Sequence, residues 1–93
     1  MTKTETKKQL NLIFTNLIKE TNPELFNKYK TDFYKILTDV KFENYDTIDM
    51  QIGLFEITCN SCITTDFNPN VRKLLFGDFE MILITLDESL FDE

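Results

Sequence analysis

The sequence predicts an α+β fold in which two N-terminal helices pack on one face of a three- or four-stranded antiparallel sheet. Three observations lead there. Apolar residues recur at helical spacing through residues 1–41, and the period drops to two from Thr47 onward. A nearly continuous apolar run, "FEMILITL", follows close to the C-terminus and reads as an interior strand. Ninety-three residues hold one domain, because separate cores usually need about 100 residues each. It divides into a helical hairpin (1–41), mainly antiparallel strands (46–86) and an acidic tail (87–93).

In the first helix, Thr2 and Glu5 have capping-box spacing, and Leu10, Ile13, Phe14, Leu17 and Ile18 form one apolar stripe. "TNPE" ends it and opens the next: Asn22 suits the N-cap, Pro23 the first helical position and Glu24 the positive end of the dipole. Phe26, Tyr29, Phe33, Ile36, Leu37 and Val40 make the second stripe. The short break between stripes makes the pair an antiparallel hairpin.

From Thr47, Ile48, Met50 and Ile52 alternate with Thr47, Asp49 and Gln51, as in a strand with one wet face. Parity slips at Gly53, where a bulge accounts for Phe55, Ile57 and Cys59 becoming the apolar set. In "EITCNSCITT" a three-residue loop of Asn60, Ser61 and Cys62 pairs Cys59 with Ile63 and sets Glu56 opposite Asp66 on the wet face. A two-residue loop would exchange the faces and bury Asp66. Next, "NPNVRKLLFGD" reads as a short helix at 69–76 with Asn68 as cap, Pro69 at the first position and Gly77 as terminator; a hairpin turning at Gly77-Asp78 is the alternative. In "DESLFDE", Leu90 and Phe91 stand ready to dock or to anchor a partner.

Composition removes several chemistries. The chain has no histidine, and so lacks the usual general base, the usual zinc nitrogen ligand and every Ser/Cys–His arrangement. Cys59 and Cys62 form a C-x-x-C, but the pair follows a strand pattern instead of opening a helix, so no pKa-lowering context is expected. Nor does a second cysteine pair complete a zinc site. The expected roles are a core Cys59 and a turn Cys62, the latter alkylated faster. Glu43, Asp46 and Asp49 cluster without the spacing or glycine of a calcium loop. No phosphate-binding or nucleophile-elbow motif occurs. No cofactor, metal site or enzyme activity is expected.

Charge gives the functional lead. Residues 1–41 carry eight Lys and five acids, whereas residues 42–93 carry Arg72 and Lys73 against eleven acids, for a net charge of −6. The eleven are Glu43, Asp46, Asp49, Glu56, Asp66, Asp78, Glu80, Asp87, Glu88, Asp92 and Glu93. Like charges opposite each other weaken a sheet, so Glu56 facing Asp66 suggests a surface kept for binding. A rigid acidic surface can occupy a basic groove built for phosphates and gains fast association by steering.

Size, element order and charge resemble, at class level, the small phage-encoded inhibitors that mimic DNA. That resemblance implies a non-enzymatic anti-defence protein blocking the basic surface of a restriction, CRISPR or repair enzyme, without binding nucleic acid itself. An AT-rich coding sequence, suggested by the absence of alanine and abundance of Lys, Asn, Ile, Phe and Tyr, agrees with a phage, another virus or a low-GC bacterium. Alternatives are an immunity or antitoxin protein covering a basic toxin, a structural or homodimerising subunit, and a small metal- or thiol-dependent enzyme. With no signal-like N-terminus, no membrane span and only two cysteines, the expected location is the cytoplasm, of the host if viral.

Overall fold

The structure, a computed structural model, describes residues 2–40 and 45–89. All the regular structure in them is helical, with no strand among the described residues. The elements are α1 (Lys3–Lys19), α2 (Pro23–Thr38), α3 (Tyr45–Thr64), the single turn α4 (Pro69–Arg72) and α5 (Leu74–Ser89). The expected α+β class and its antiparallel sheet are therefore overturned for residues 46–86.

α1 and α2 form where the apolar stripes lie. Thr2 accepts a hydrogen bond from the Glu5 backbone N–H at 3.1 Å, and Asn22 accepts from Glu24 and Leu25 at 2.9 and 3.2 Å. These satisfy N–H groups that a helix start leaves without an internal partner.

α3 corrects the strand reading. The alternation over Thr47–Ile52 is short, whereas Ile48, Gln51, Phe55, Cys59 and Cys62 recur at steps of three and four and are all buried. The parity slip at Gly53 marks where this helical period leaves the alternating one, and no bulge is involved. The hairpin loop at Asn60–Cys62 and the pairing of Glu56 with Asp66 disappear with the strands. Cys62 does not sit in a turn: it is buried beside Cys59 on one face of α3, and both are free thiols. Isoleucine and threonine lower helix propensity by only tenths of a kcal/mol each, roughly, so packing of the buried face decides.

α3 ends in a reversal at Asp66 and Phe67, which adopt left-handed φ of 54° and 58°. The Phe67 N–H reaches the Cys62 carbonyl at 2.7 Å and the Asp66 N–H the Ile63 carbonyl at 3.2 Å, the two bonds of a Schellman cap. Glycine usually fills such a position. Here ring contacts compensate: Phe67 meets Phe26 of α2 edge-on at 5.2 Å, and the Arg72 guanidinium lies 5.6 Å from its ring centre. Arg72 also donates to the Ile18 carbonyl at the end of α1, at 2.9 Å.

Asn68 caps α4 and Pro69 occupies its first turn. Gly77, expected to terminate a helix, instead lies inside α5 with no positive φ. "FEMILITL" is the body of that helix, burying Phe79, Ile82, Thr85 and Leu86. A short run of this kind is equally apolar as an interior strand or a packed helix, and its length within a longer helical period settles the matter.

Contacts between elements give an up-down-up-down bundle of the four long helices. Lys7 meets Asp87 at one end of the α1–α5 pair and Arg72 meets Ile18 at the other, so these helices run antiparallel. Gln51–Thr85 and Thr58–Asp78 set the same relation between α3 and α5, as do Phe26–Phe67 and Phe33–Phe55 for α2 and the α3 end. Each long helix contributes one phenylalanine to a closed cycle at the centre. Phe14 stacks on Phe79 at 4.2 Å and Phe33 on Phe55 at 4.8 Å, while Phe33–Phe79 and Phe14–Phe55 lie at 5.7 and 6.4 Å. Aromatic pairs of this sort contribute about 0.5–1.5 kcal/mol beyond their buried area.

Candidate protein-interaction surface

α3 and α5 together carry seven acids (Asp46, Asp49, Glu56, Asp78, Glu80, Asp87 and Glu88) and no Lys or Arg. α1 and α2 carry seven Lys and three acids. The bundle therefore has a basic half and an acidic half.

The acids expected to act together are divided by the fold. Asp46 and Asp49 start α3, while Asp87 and Glu88 end α5, so antiparallel packing brings these four to one end. All four are exposed, although Asp87 is engaged by Lys7 at 2.9 Å. Glu80 is exposed midway along α5, and Asp66 is exposed at the opposite end of the bundle. Glu43, Asp92 and Glu93 lie outside the described residues, as do Leu90 and Phe91.

Two acids are internal fasteners. Glu56 accepts from Lys30 at 3.0 Å and from the Tyr34 hydroxyl at 2.5 Å, bridging α3 to α2. Burial works to raise its carboxyl, but hydrogen bonds from Tyr34 and Lys30 and the lysine charge outweigh it, leaving the group below the usual carboxylate range. Tyr34 is pushed up by its own burial and by the same bond. Asp78 accepts from Thr58 at 2.5 Å across the α3–α5 contact. The acids that are exposed are Asp46, Asp49, Glu80, Asp87 and Glu88, plus the distant Asp66.

Neither cysteine is activated. Burial pushes both thiols up, opposed at Cys59 by the Lys30 charge and at Cys62 by Arg72. Among the described residues, no group of three or more Cys, Asp or Glu side chains could hold a metal ion. No helix of the described residues is long and apolar enough to cross a membrane.

Reasoning from the sequence missed the apolar part of this surface. Met50, Leu54 and Ile57 of α3 are 62%, 51% and 63% exposed, and Met81 of α5 is 50% exposed. Leu74 and Ile84 extend the α5 row. Met50, Leu54 and Met81 line a shallow depression of about 80 Å³ with Gln51 and Asp78 at its floor. Plotting residues 45–64 at the helical period would have revealed it, because apolar positions then fall on both faces. A second cavity of about 210 Å³, lined by Phe67, Pro69, Arg72, Lys73 and Phe76, lies beside α4, where Arg72 is already bound to Ile18.

Comparison of the chain with protein-family models, with curated proteins and with solved structures gave no match.

Proposed function

We propose that this protein is a non-enzymatic interaction protein that covers a basic surface of another protein with the outer face of α3 and α5. The observation that supports this most is that every charged side chain of α3 and α5 is acidic, with seven acids and no base on two adjacent helices. A single-sign face of this kind steers a basic partner and repels polyanions and anionic surfaces. The partner class it selects is a protein whose own ligand is anionic. A nucleic-acid-binding defence or repair enzyme fits that description, so the reading includes an anti-defence inhibitor acting as a DNA mimic. Free Cys59 and Cys62, held as buried thiols, are in keeping with a reducing cytoplasm.

The test is capture of a partner from host lysate followed by titration of salt and charge. Affinity for the captured protein should fall steeply as salt is raised, since interactions between exposed charges are screened within about 10 Å at 0.1 M. The triple variant Asp49→Lys, Glu80→Lys, Glu88→Lys should weaken binding by about tenfold or more while melting like the wild type. An interaction indifferent to both changes would sink the proposal.

A further inference from the structure

We infer that the α3–α5 groove receives one amphipathic α-helix with a basic flank, presented by the partner. This rests on the reading above and names the form that the partner's basic surface takes at this site.

The groove is built for an apolar ridge. Two antiparallel helices leave a furrow between them, and Met50, Leu54 and Met81 line it while half or more of each stays exposed; Ile57, equally exposed, continues the apolar row of α3. Helix ridges pack into such furrows, and methionine at the contact adapts to the shape it meets. Its charge is acidic: Glu88 stands seven residues from Met81 on the same side of α5 and is exposed, and neither helix offers a base. An occupant therefore brings apolar residues at helical spacing with Lys or Arg alongside.

The glycines supply an independent indication of close approach. The chain has two, Gly53 and Gly77, and both lie within these helices. Neither has positive φ, and a Cβ built on either would meet nothing within 4 Å. Neither backbone geometry nor internal packing calls for glycine there, although glycine weakens a helix interior relative to alanine. Gly53 lies three and four residues from Met50 and Ile57, and Gly77 lies three and four from Leu74 and Met81, so each opens a gap in an apolar row. Such gaps let a second helix's backbone come close.

A second copy of this chain fits less well. Its acidic face would set like charges together, and its basic helices expose only the isolated Leu12 and Leu25 instead of a row.

Fluorescence anisotropy with labelled model peptides tests this directly. A Leu/Lys peptide of about 18 residues, with leucines at helical i, i+3, i+4, i+7 spacing, is compared with its scrambled sequence and with a Leu/Glu version. The ordered Leu/Lys peptide should bind at least about tenfold tighter than the scramble, and the Leu/Glu peptide should not bind. Gly53→Leu/Gly77→Leu should lose about tenfold or more of that affinity while melting no lower than the wild type. Equal binding of ordered and scrambled peptides would overturn the helix groove and leave the acidic-surface proposal intact. Absence of binding by either Leu/Lys peptide, or a dimer in sedimentation that the glycine variant abolishes, would overturn the groove as well. The converse result, a captured partner insensitive to salt with normal peptide discrimination, would remove the acidic reading and spare the groove.

Discussion

The two halves of the bundle are built alike and finished differently. α1–α2 and α3–α5 are both antiparallel hairpins that place phenylalanines at the same central cycle. In α1–α2, most apolar residues point inward, with Leu12 and Leu25 isolated on the outside. The lysines other than Lys30 lie toward water, as a helix facing water on one side requires. In α3–α5 the inward stripe is just as regular, but the outward face carries methionine, leucine and isoleucine between acids. The inward stripes account for the fold. The outward face of α3–α5 has no such account inside the chain, and the functional proposals rest on that difference.

Three substitutions break or sharpen the contrast. The largest effect belongs where the halves meet. Phe55→Ala removes a fully buried ring stacked on Phe33, and unfolding free energy from urea titration should drop by about 3–5 kcal/mol. A loss below about 1 kcal/mol would mean that the two hairpins stand independently.

Next comes the bond between α2 and α3. Glu56→Gln should cost about 1 kcal/mol at neutral pH, a value discounted because the Glu56 side chain is 38% exposed. Its folded carboxyl lies below the ordinary glutamate value of about 4.5, so the stabilisation is complete above that pH and is lost as pH falls through the folded value. The wild type should therefore lose stability below about pH 4.5 more steeply than the variant in acid titrations followed by circular dichroism.

The smallest effect has the opposite sign. Gly53→Ala and Gly77→Ala should each raise stability by roughly 0.5–1 kcal/mol, measured by the same urea titration. A fall on either substitution would show that the glycine serves the fold after all.

The sequence revealed the first half because amphipathic helices with caps leave a repeated signature. Thr2, Asn22 and Pro23 sit where capping physics puts them, and the stripes from Leu10 to Leu37 are the observed core. The second half misled because its outside is not polar. With Met50, Ile57 and Met81 exposed, apolar and polar positions no longer sort by face, and a brief alternation at Thr47–Ile52 passed for a strand. β-Branched Ile and Thr reinforced that impression, although burial of Ile48, Phe55 and Cys59 overrides their propensity. The acidic character of residues 42–93 was plain from composition. Which acids remain available was not, because Glu56 and Asp78 are tied by Lys30, Tyr34 and Thr58, residues distant in sequence.

The reversal at Asp66–Phe67 bears on how the chain comes together in time. A bulky residue at positive φ is costly in isolation and persists only where its surroundings enforce it. The groups that enforce it here, the Phe26 ring and, through Arg72, the Ile18 carbonyl, belong to α2 and α1. Synthesis runs from the N-terminus, so that template leaves the ribosome before the corner does. The corner therefore depends on contacts from the half of the chain that is made first.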